Sequence, residues 1–333
     1  MPTTIAVLGD GAWGTAVAIL LSRKADHRVR LWSARPENAA ELLAKRENRK
    51  YLPGVPLPEQ LELTGDPAAA IRDADLWVTA IPTVHLRATL ERFRHQCPAT
   101  IPIVSLTKGI EIATFQRPST IISEILGTGS VLALSGPSHA EEVSRNMPTS
   151  VVIAGSDRAL TTWAQRCFAA DCFRVYTNPD LLGVELAGAL KNVMGVAAGI
   201  CDGLGFGDNA KSALLTRALV EMTRFGLAMG AEHDTFQGLA GMGDLITTCF
   251  SPHGRNRRVG ERLGRGETLD AILASSTAVA EGVTTAKSVY ERIHSIGLHM
   301  PIATSVYRVL YEGLSPKKGV TELLSRDSGS ERV

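Results

Sequence analysis

A glycine-rich turn near the N-terminus constrains the fold more than any other feature. The β-branched, apolar run at residues 4–8 is followed by the turn GDGAWG, with Gly9, Gly11 and Gly14, and then by a helical pattern. In this spacing the first glycine permits a tight turn, the second lets a pyrophosphate approach the backbone, and the third lets the helix pack on the strand. Because the helix N-terminus then faces the phosphates, the segment predicts a dinucleotide site.

The end of the second predicted strand bears on which dinucleotide binds. Residues 29–32 are followed by Ser33-Ala34-Arg35, without an acidic residue. NAD-specific sites usually place an acidic side chain about 20 residues beyond the glycines. Arg35 suits the 2′-phosphate of NADP instead, although an exposed arginine before Pro36 at a helix start is the plain alternative. We predict NADPH/NADP as the preferred cofactor, with NADH/NAD still usable.

Strand-like runs alternate with helical segments up to Asn178. The further strands are predicted at residues 76–81, 103–106, 131–135, 150–153 and 173–176, and the helices near residues 84–95, 119–126, 138–145 and 157–168. Such alternation predicts a parallel sheet covered by helices. We therefore predict an α/β N-terminal domain with a parallel-rich sheet at residues 1–178. An all-α C-terminal domain follows at residues 179–333 and ends in a disordered tail from residue 327.

Charge, cysteine and histidine content narrow the partners. The chain has 35 Lys and Arg against 34 Asp and Glu, so no bulk charge favours nucleic acid or an anionic membrane. Five cysteines form no CxxC pair and eight histidines show no HExxH spacing, so we expect neither disulfides nor a metal site. No signal sequence precedes the first strand, and charge and glycine interrupt the apolar stretch at residues 181–201. We expect a cytoplasmic protein without a membrane span that binds a small molecule.

Lys191 lies in the middle of that apolar stretch. Its neighbours in ALKNVM are mostly apolar, which predicts a buried helix, and an ammonium ion buried without partners is costly. The side chain either extends along its stem to solvent or belongs to a site, because lysines in unusual surroundings are enriched at active sites. The residues around it leave both interpretations open.

A second polar block, GMGDLITTC followed by GRNRR, lies among the predicted helices. Asp244 and Thr248 are four residues apart and share a face of one helical turn, although an acid in the first turn of a helix is also ordinary. Arg255 and Asn256 are good donors to a phosphate, although a solvated basic face is the common alternative. The block is a candidate anion site.

Residues that directly follow strands are further candidates, because ligands of parallel sheets lie beyond the carboxyl ends of the strands. Lys108 precedes a glycine and either reaches a phosphate or carboxylate or is a solvated turn lysine. Gly136 and Ser138 lie in a turn that leads into a helix, where capping alone would explain the serine. Together with Pro82, which also follows a strand, these residues are candidates, and the residues alone leave the plain alternatives open.

Together these motifs resemble the NAD(P)-dependent glycerol-3-phosphate dehydrogenase family, bacterial type, over nearly the full length. The matching segments are GDGAWG, TKG, SGPSHAEE, VELAGALKNV and GMGDLITTC with GRNRR. The resemblance implies a Rossmann-type N-terminal domain, a helical C-terminal domain and the interconversion of dihydroxyacetone phosphate and sn-glycerol 3-phosphate for phospholipid synthesis. The oligomeric state stays open, a homodimer included.

The resemblance also implies roles for individual residues. Lys191 matches the catalytic acid/base, and Lys108 matches a contact to both cofactor and substrate. The other substrate positions are Gly136, Ser138, Asp244, Thr248, Gly254, Arg255 and Asn256, and the cofactor positions are the three glycines of the turn, Ala12, Trp13, Arg35, Ala140, Arg255, Val279 and Glu281. The bacterial type often has serine where this chain has Gly254, so a hydroxyl contact to the substrate is missing.

Ketone reduction by hydride transfer leaves negative charge on the ketone oxygen, which the protein must stabilise or protonate. We predict that Lys191 does this and that Asp244 holds its ammonium group in position. Arg255 and Asn256 would bind the substrate phosphate, with Lys108 closing the site from the sheet side.

Two alternatives remain. A β-hydroxyacid dehydrogenase also joins a Rossmann domain to helices and uses a lysine followed by asparagine, but it binds a carboxylate instead of a phosphate. The SGPSHA and GRNRR segments favour the phosphate. A non-catalytic NADPH sensor would need the glycine turn but not Lys191, Asp244 or Arg255, so this alternative is the weaker one.

Overall fold

The computed structural model describes residues 2–275 and 279–325. Within them one sheet has the strand order β3-β2-β1-β4-β5-β6-β7-β8. The strands are β1 (Thr3–Leu8), β2 (His27–Trp32), β3 (Glu62–Thr64), β4 (Leu76–Thr79), β5 (Ile103–Ser105), β6 (Val131–Ser135), β7 (Thr149–Ala154) and β8 (Phe173–Asn178). The predicted tail from residue 327 lies outside the described residues.

The helices cover the sheet and then form a bundle. They are α1 (Ala12–Ser22), α2 (Pro36–Lys45), α3 (Pro67–Ile71), α4 (Thr83–Leu90), α5 (Pro118–Leu126), α6 (Ala140–Ser144), α7 (Arg158–Phe168), α8 (Leu181–Gly203), α9 (Asp208–Ala228), α10 (His233–Gln237), α11 (Asp244–Phe250), α12 (Arg255–Gly264), α13 (Leu269–Ala274), α14 (Glu281–Ser295), α15 (Pro301–Tyr311) and α16 (Pro316–Leu324). A 3-10 helix (Glu91–Gln96) continues α4, and a π-helix (Leu239–Gly243) precedes α11.

The strands predicted from the sequence all form, but two features of the sheet were not predicted. β6 and β7 pair in antiparallel fashion, whereas the other neighbouring strands are parallel. A helix between two strands was taken to predict a parallel pair. The helix that forms between β6 and β7, α6, has only five residues, and the alternation of strands and helices does not show in which direction the next strand runs. The three-residue β3 was missed because Leu63 is its only apolar residue, which is too short a pattern to recognise.

The sheet order β3-β2-β1-β4-β5-β6 is that of doubly wound dinucleotide-binding folds, in which the connection reverses between β1 and β4. Ile5 to Leu8 pair with Leu76 to Thr79, so the turns after these two strands leave the sheet side by side. At the first of them Gly9 has φ +118°, and a Cβ there would lie 2.7 Å from the carbonyl oxygen of Ala80. Only glycine fits this position without strain.

Helix α8 is the centre of the C-terminal bundle. Asp180 caps it by accepting a hydrogen bond from the Gly183 amide at 2.8 Å. Helices α9, α11, α12, α14 and α15 and strand β6 pack around it. Among the described residues α8 is the one helix long and apolar enough for a membrane span by length and composition, but 89% of its apolar window is buried inside the protein. It is therefore packed as a core helix.

Candidate active site

Lys191 does not extend to solvent. The residue is 8% exposed, and its Nζ donates hydrogen bonds to Asp244 Oδ1 at 2.9 Å and to Thr248 Oγ1 at 2.7 Å. Asp244 is the first residue of α11 and Thr248 lies one turn later, so both side chains reach the same lysine, as their spacing predicted. An ammonium group has three N–H donors. Two are used here, which leaves one for a ligand.

Lys108 approaches the same carboxylate from the sheet. Its Nζ donates to Asp244 Oδ2 at 2.7 Å and to the Gly136 carbonyl oxygen at 2.9 Å, with Ser138 Oγ at 3.5 Å. Asp244, 2% exposed, thus bridges two ammonium groups that come from different parts of the fold. The long contact to Ser138 is the one most easily exchanged for a ligand atom.

Burial and the neighbouring charges shift the pKa values of Lys108 and Asp244. Burial lowers the pKa of Lys108 to about 8, and the charge of Lys191 adds to this effect while Asp244 opposes it. Burial alone would raise the pKa of Asp244, but the charges and hydrogen bonds of the two lysines outweigh it, so the pKa lies below its usual value. The site therefore holds an ionised carboxylate beside a lysine that titrates near physiological pH.

The N-terminus of α12 supplies further donors. Its N-cap residue is Gly254, and no side chain caps this end of the helix, so the first backbone amides are free to bind an anion. Arg255 is exposed, and its Nη1 donates to the Val279 carbonyl oxygen at 3.2 Å. A Cβ on Gly254 would lie 2.9 Å from the Thr248 carbonyl oxygen, so a serine would fit here only if the backbone shifted. The departure from the family pattern therefore matches the local packing.

Two asparagines connect the elements of the site. Asn192 donates through Nδ2 to the Lys108 carbonyl oxygen at 2.8 Å. Its Oδ1 accepts a hydrogen bond from Asn256 Nδ2 at 2.8 Å, and Asn256 Oδ1 accepts one from the Gly282 amide at 2.9 Å. Asn256, predicted as a phosphate donor, therefore has one N–H left for a ligand. Asn192 was given no role from the sequence, although a buried asparagine beside a buried lysine must have partners.

Glu281 links the helical bundle to the sheet. Its Oε1 accepts hydrogen bonds from the Thr83 amide at 2.7 Å and from Thr83 Oγ1 at 3.0 Å. Burial raises the pKa of Glu281, although these hydrogen bonds and the charge of Arg255 oppose the effect. A Cβ on Gly109 would lie 2.3 Å from Thr83 Oγ1, which explains the glycine of the TKG segment. The predicted cofactor contact of Glu281 stays a prediction.

The turn at residues 9–14 fits a dinucleotide. A Cβ on Gly14 would lie 2.0 Å from the Gly9 carbonyl oxygen, whereas one on Gly11 would meet no atom within 4 Å. There is thus open space beside the second glycine, where a pyrophosphate approaches in such folds. No side chain caps the N-terminus of α1. The Trp13 Nε1 is buried without a partner among the described residues, which fits the cofactor contact predicted for this residue.

Other predicted positions surround this turn. Arg35 is exposed at the N-cap of α2, directly beyond β2. Arg92 lies beside it: its guanidinium is 4.7 Å from the Trp32 ring centroid, and its Nη1 donates to the Ala34 carbonyl oxygen at 3.1 Å. Arg92 therefore adds a second guanidinium group near the end of β2, where a 2′-phosphate is expected. Ala140 is buried at the start of α6.

The plain alternative for Ser138, that it only caps a helix, does not hold. Ser138 does not cap α6, because the helix begins at Ala140 with His139 in the N-cap position. The Ser138 hydroxyl instead donates to the Gly136 carbonyl oxygen at 2.9 Å. Ser138 thereby stays at the edge of the site, next to Lys108.

The fold and the site together define a class of protein. The carboxyl edge of the sheet holds the dinucleotide turn, and the same edge carries Lys108 and Gly136 against Lys191 and Asp244 of the helical bundle. A buried lysine paired with a carboxylate, at the sheet edge that carries a dinucleotide turn, is an arrangement typical of dehydrogenases.

Comparison with known proteins identifies the family. Models of the NAD-dependent glycerol-3-phosphate dehydrogenase N-terminus and C-terminus match residues 4–161 and 180–321. A glycerol-3-phosphate dehydrogenase, NAD(P)+, of Chlorobium limicola is 46% identical over 330 residues, 98% of this chain and 99% of the relative. The protein of the same name from Geobacillus thermodenitrificans is 48% identical, covering 98% and 96% of the two chains. The crystal structure of glycerol-3-phosphate dehydrogenase from Coxiella burnetii has a TM-score of 0.94 at 36% identity, covering 98% and 99%.

The chain belongs to the NAD-dependent glycerol-3-phosphate dehydrogenase family, and it is an NAD(P)-dependent oxidoreductase. The family predicted from the motifs is thereby confirmed, as is the combination of a Rossmann-type sheet domain with a helical C-terminal part.

Proposed function

We propose that the chain catalyses the reversible NAD(P)-dependent reduction of dihydroxyacetone phosphate to sn-glycerol 3-phosphate, the reaction that supplies glycerophospholipid synthesis. The observation that carries the proposal is the Lys108–Asp244–Lys191 cluster at the carboxyl edge of the dinucleotide-binding sheet. The test is oxidation of NADPH by the purified protein in the presence of dihydroxyacetone phosphate. A β-ketoacid substrate is assayed in parallel, and faster turnover of that acid would favour a β-hydroxyacid dehydrogenase.

Lys191 is the proposed proton donor. The nicotinamide, when bound, supplies the hydride to the carbonyl carbon. The third N–H of Lys191 then donates to the ketone oxygen and transfers its proton as negative charge develops there. Asp244 and Thr248 hold the other two N–H groups, so the amine keeps one orientation through the reaction.

The substrate phosphate is proposed to bind at the uncapped N-terminus of α12. Backbone amides, the helix dipole and the guanidinium of Arg255 all favour a dianion there. Thr248, whose carbonyl oxygen lies against Gly254, connects this end of α12 to Lys191. Phosphate binding would thus fix the ketone near the proton donor.

The activity is expected to depend on pH through Lys108. Its pKa of about 8 lies below the ordinary value for lysine, so the group loses its positive charge as the pH rises through about 8. The free protein then attracts the dianionic substrate less well, and kcat/KM for dihydroxyacetone phosphate should fall above that pH. Measurement of kcat/KM from pH 6 to 10 tests this. The Lys108→Arg variant should move the decline to higher pH, because a guanidinium stays charged; an unmoved decline would contradict the assignment.

Arg35 is proposed to set the preference for NADPH. The exposed guanidinium at the end of β2 is free to bind a 2′-phosphate, and an aspartate there would repel it. Arg35→Asp is therefore expected to lower kcat/KM for NADPH by about 10- to 100-fold and to leave that for NADH nearly unchanged. Arg94→Asp makes the same charge change on the exposed 3-10 helix and serves as the control. Equal losses with both cofactors would contradict the proposal.

We also propose a division of the chain into residues 1–178 and 179–333, a cytoplasmic location and a homodimer. The end of β8 at Asn178 and the start of the helical part soon after it support the division. All five cysteines are free thiols, as is usual in a reducing compartment, and cell fractionation would test the location.

The homodimer is supported by an exposed apolar row. The exposed side chains of Met242, Ile246 and Phe250 recur every four residues and suit a partner surface. Light scattering should then give about twice the 35.5 kDa of one chain.

A further inference from the structure

His139 lies beside the cluster of lysines, although none of the motif arguments singled it out. Burial lowers the pKa of its imidazole, the charge of Lys191 lowers it further, and Asp244 and the two glutamates Glu141 and Glu142 oppose these effects. The ring therefore lies within electrostatic range of both Lys191 and Asp244, and its lowered pKa favours the neutral imidazole.

The Nε2 atom of His139 has no hydrogen-bond partner among the described residues, although it is buried. Buried polar atoms in native proteins nearly always have a partner, in the protein or in a ligand. The position of His139 at the N-cap of α6 does not explain the side chain, because that N-cap makes no side-chain hydrogen bond. The atom is thus in the state expected of a group that a ligand completes.

A second imidazole faces His139 from the helical bundle. The ring centroids of His139 and His253 are 5.8 Å apart, with an angle of 58° between the planes. His253 is exposed and directly precedes Gly254, the N-cap of α12. The two histidines therefore face each other, His139 from the sheet side and His253 from beside the uncapped helix end.

We propose that His139 and His253 form a second contact to the substrate phosphate, so that the bound phosphate joins the sheet side to the helical bundle. The inference rests on the proposed function for the identity of the substrate. His253 directly precedes the N-cap of α12, so it is adjacent to a phosphate bound at that helix end. An imidazole N–H is a good donor to a phosphate oxygen. His139 would then bring its unpaired Nε2 to the same phosphate from the sheet side. Neither histidine takes part in the chemistry, so the pair contributes to substrate affinity and not to the rate of the bound complex.

The test compares Michaelis constants of the full-length protein. His139→Ala is expected to raise KM for dihydroxyacetone phosphate about tenfold, with kcat within twofold and KM for NADPH unchanged. His139→Gln retains a side-chain N–H close to the Nε2 position and should restore most of the affinity. His253→Ala should raise KM less, and the double variant should lose less than the product of the single losses, because both side chains contact one phosphate. His95→Ala, on the exposed 3-10 helix, is the matched control.

Substrates with and without the phosphate separate this proposal from a structural role. Reduction of dihydroxyacetone, which lacks the phosphate, should be equally slow in the wild type and in His139→Ala, and inhibition by inorganic phosphate should weaken in the variant. An equal loss with both substrates, a change in KM for NADPH, or no change in KM for dihydroxyacetone phosphate would overturn the proposal. If the wild type does not reduce dihydroxyacetone phosphate at all, the proposed function fails. In that case, calorimetric titration of inorganic phosphate into the wild type, His139→Gln and His139→Ala still tests the pair. Equal phosphate affinities of the wild type and His139→Ala would overturn the proposal.

Discussion

Replacement of Lys191 with methionine is expected to lower kcat for dihydroxyacetone phosphate by about 10³-fold, which corresponds to about 4 kcal/mol of transition-state stabilisation. Methionine fills much of the space of the lysine stem in the buried middle of α8 but donates no proton. Asp244 keeps Lys108 as its partner at 2.7 Å, so the variant should fold. The loss therefore reports the missing proton donor and not a collapsed site.

The measurement is steady-state oxidation of NADPH, together with the affinity of the variant for NADPH by fluorescence titration. Cofactor affinity should be unchanged, because the glycine turn is formed by β1 and α1 and does not involve α8. Lys317→Ala, at an exposed position on α16, is the control for loss of a lysine. Near-normal turnover by Lys191→Met would remove Lys191 from the mechanism.

Replacement of Asp244 with asparagine should reduce both activity and stability. The carboxylate is the shared partner of two buried ammonium groups, at 2.9 Å from Lys191 and 2.7 Å from Lys108. Removal of one member of a buried ion pair typically costs about 3 to 5 kcal/mol, because the remaining charge is left without compensation. We expect a loss of about 3 kcal/mol in the free energy of unfolding and a fall of about 10²-fold in kcat, since Lys191 is no longer held in position.

Urea unfolding monitored by circular dichroism gives the stability, and NADPH oxidation gives kcat. The decline of kcat/KM with pH offers a third readout. Asp244 raises the pKa of Lys108 against the effect of burial, so its loss should move that decline to lower pH. Asp270→Asn removes an exposed acid from the first turn of α13 and should change none of the three quantities. An unchanged unfolding midpoint together with normal kcat in Asp244→Asn would show that the two lysines do not depend on this carboxylate.

Local patterns were sufficient for much of the fold. The dinucleotide turn depends on three glycines within six residues, and the buried helix α8 on a long stretch of mostly apolar and small residues. Hydrogen bonding within a helix and close packing in a turn are decided by neighbours in the chain, so the sequence records them directly. The direction of β7 relative to β6 depends on a connection that leaves no such periodic trace, and for that reason it was not predicted.

The sequence by itself determined the kinds of element, the dinucleotide turn and the family, because each is recorded in residues that are close together in the chain. The chemistry of the site was decided by the tertiary structure. Lys108 and Asp244 are 136 positions apart, Lys191 and Asp244 are 53 apart, and Thr83 and Glu281 are 198 apart. No periodicity relates such pairs, since they meet only when the helical bundle packs against the carboxyl edge of the sheet. Whether Lys191 was a solvated side chain or a buried, paired one therefore depended on which carboxylate that packing placed beside it.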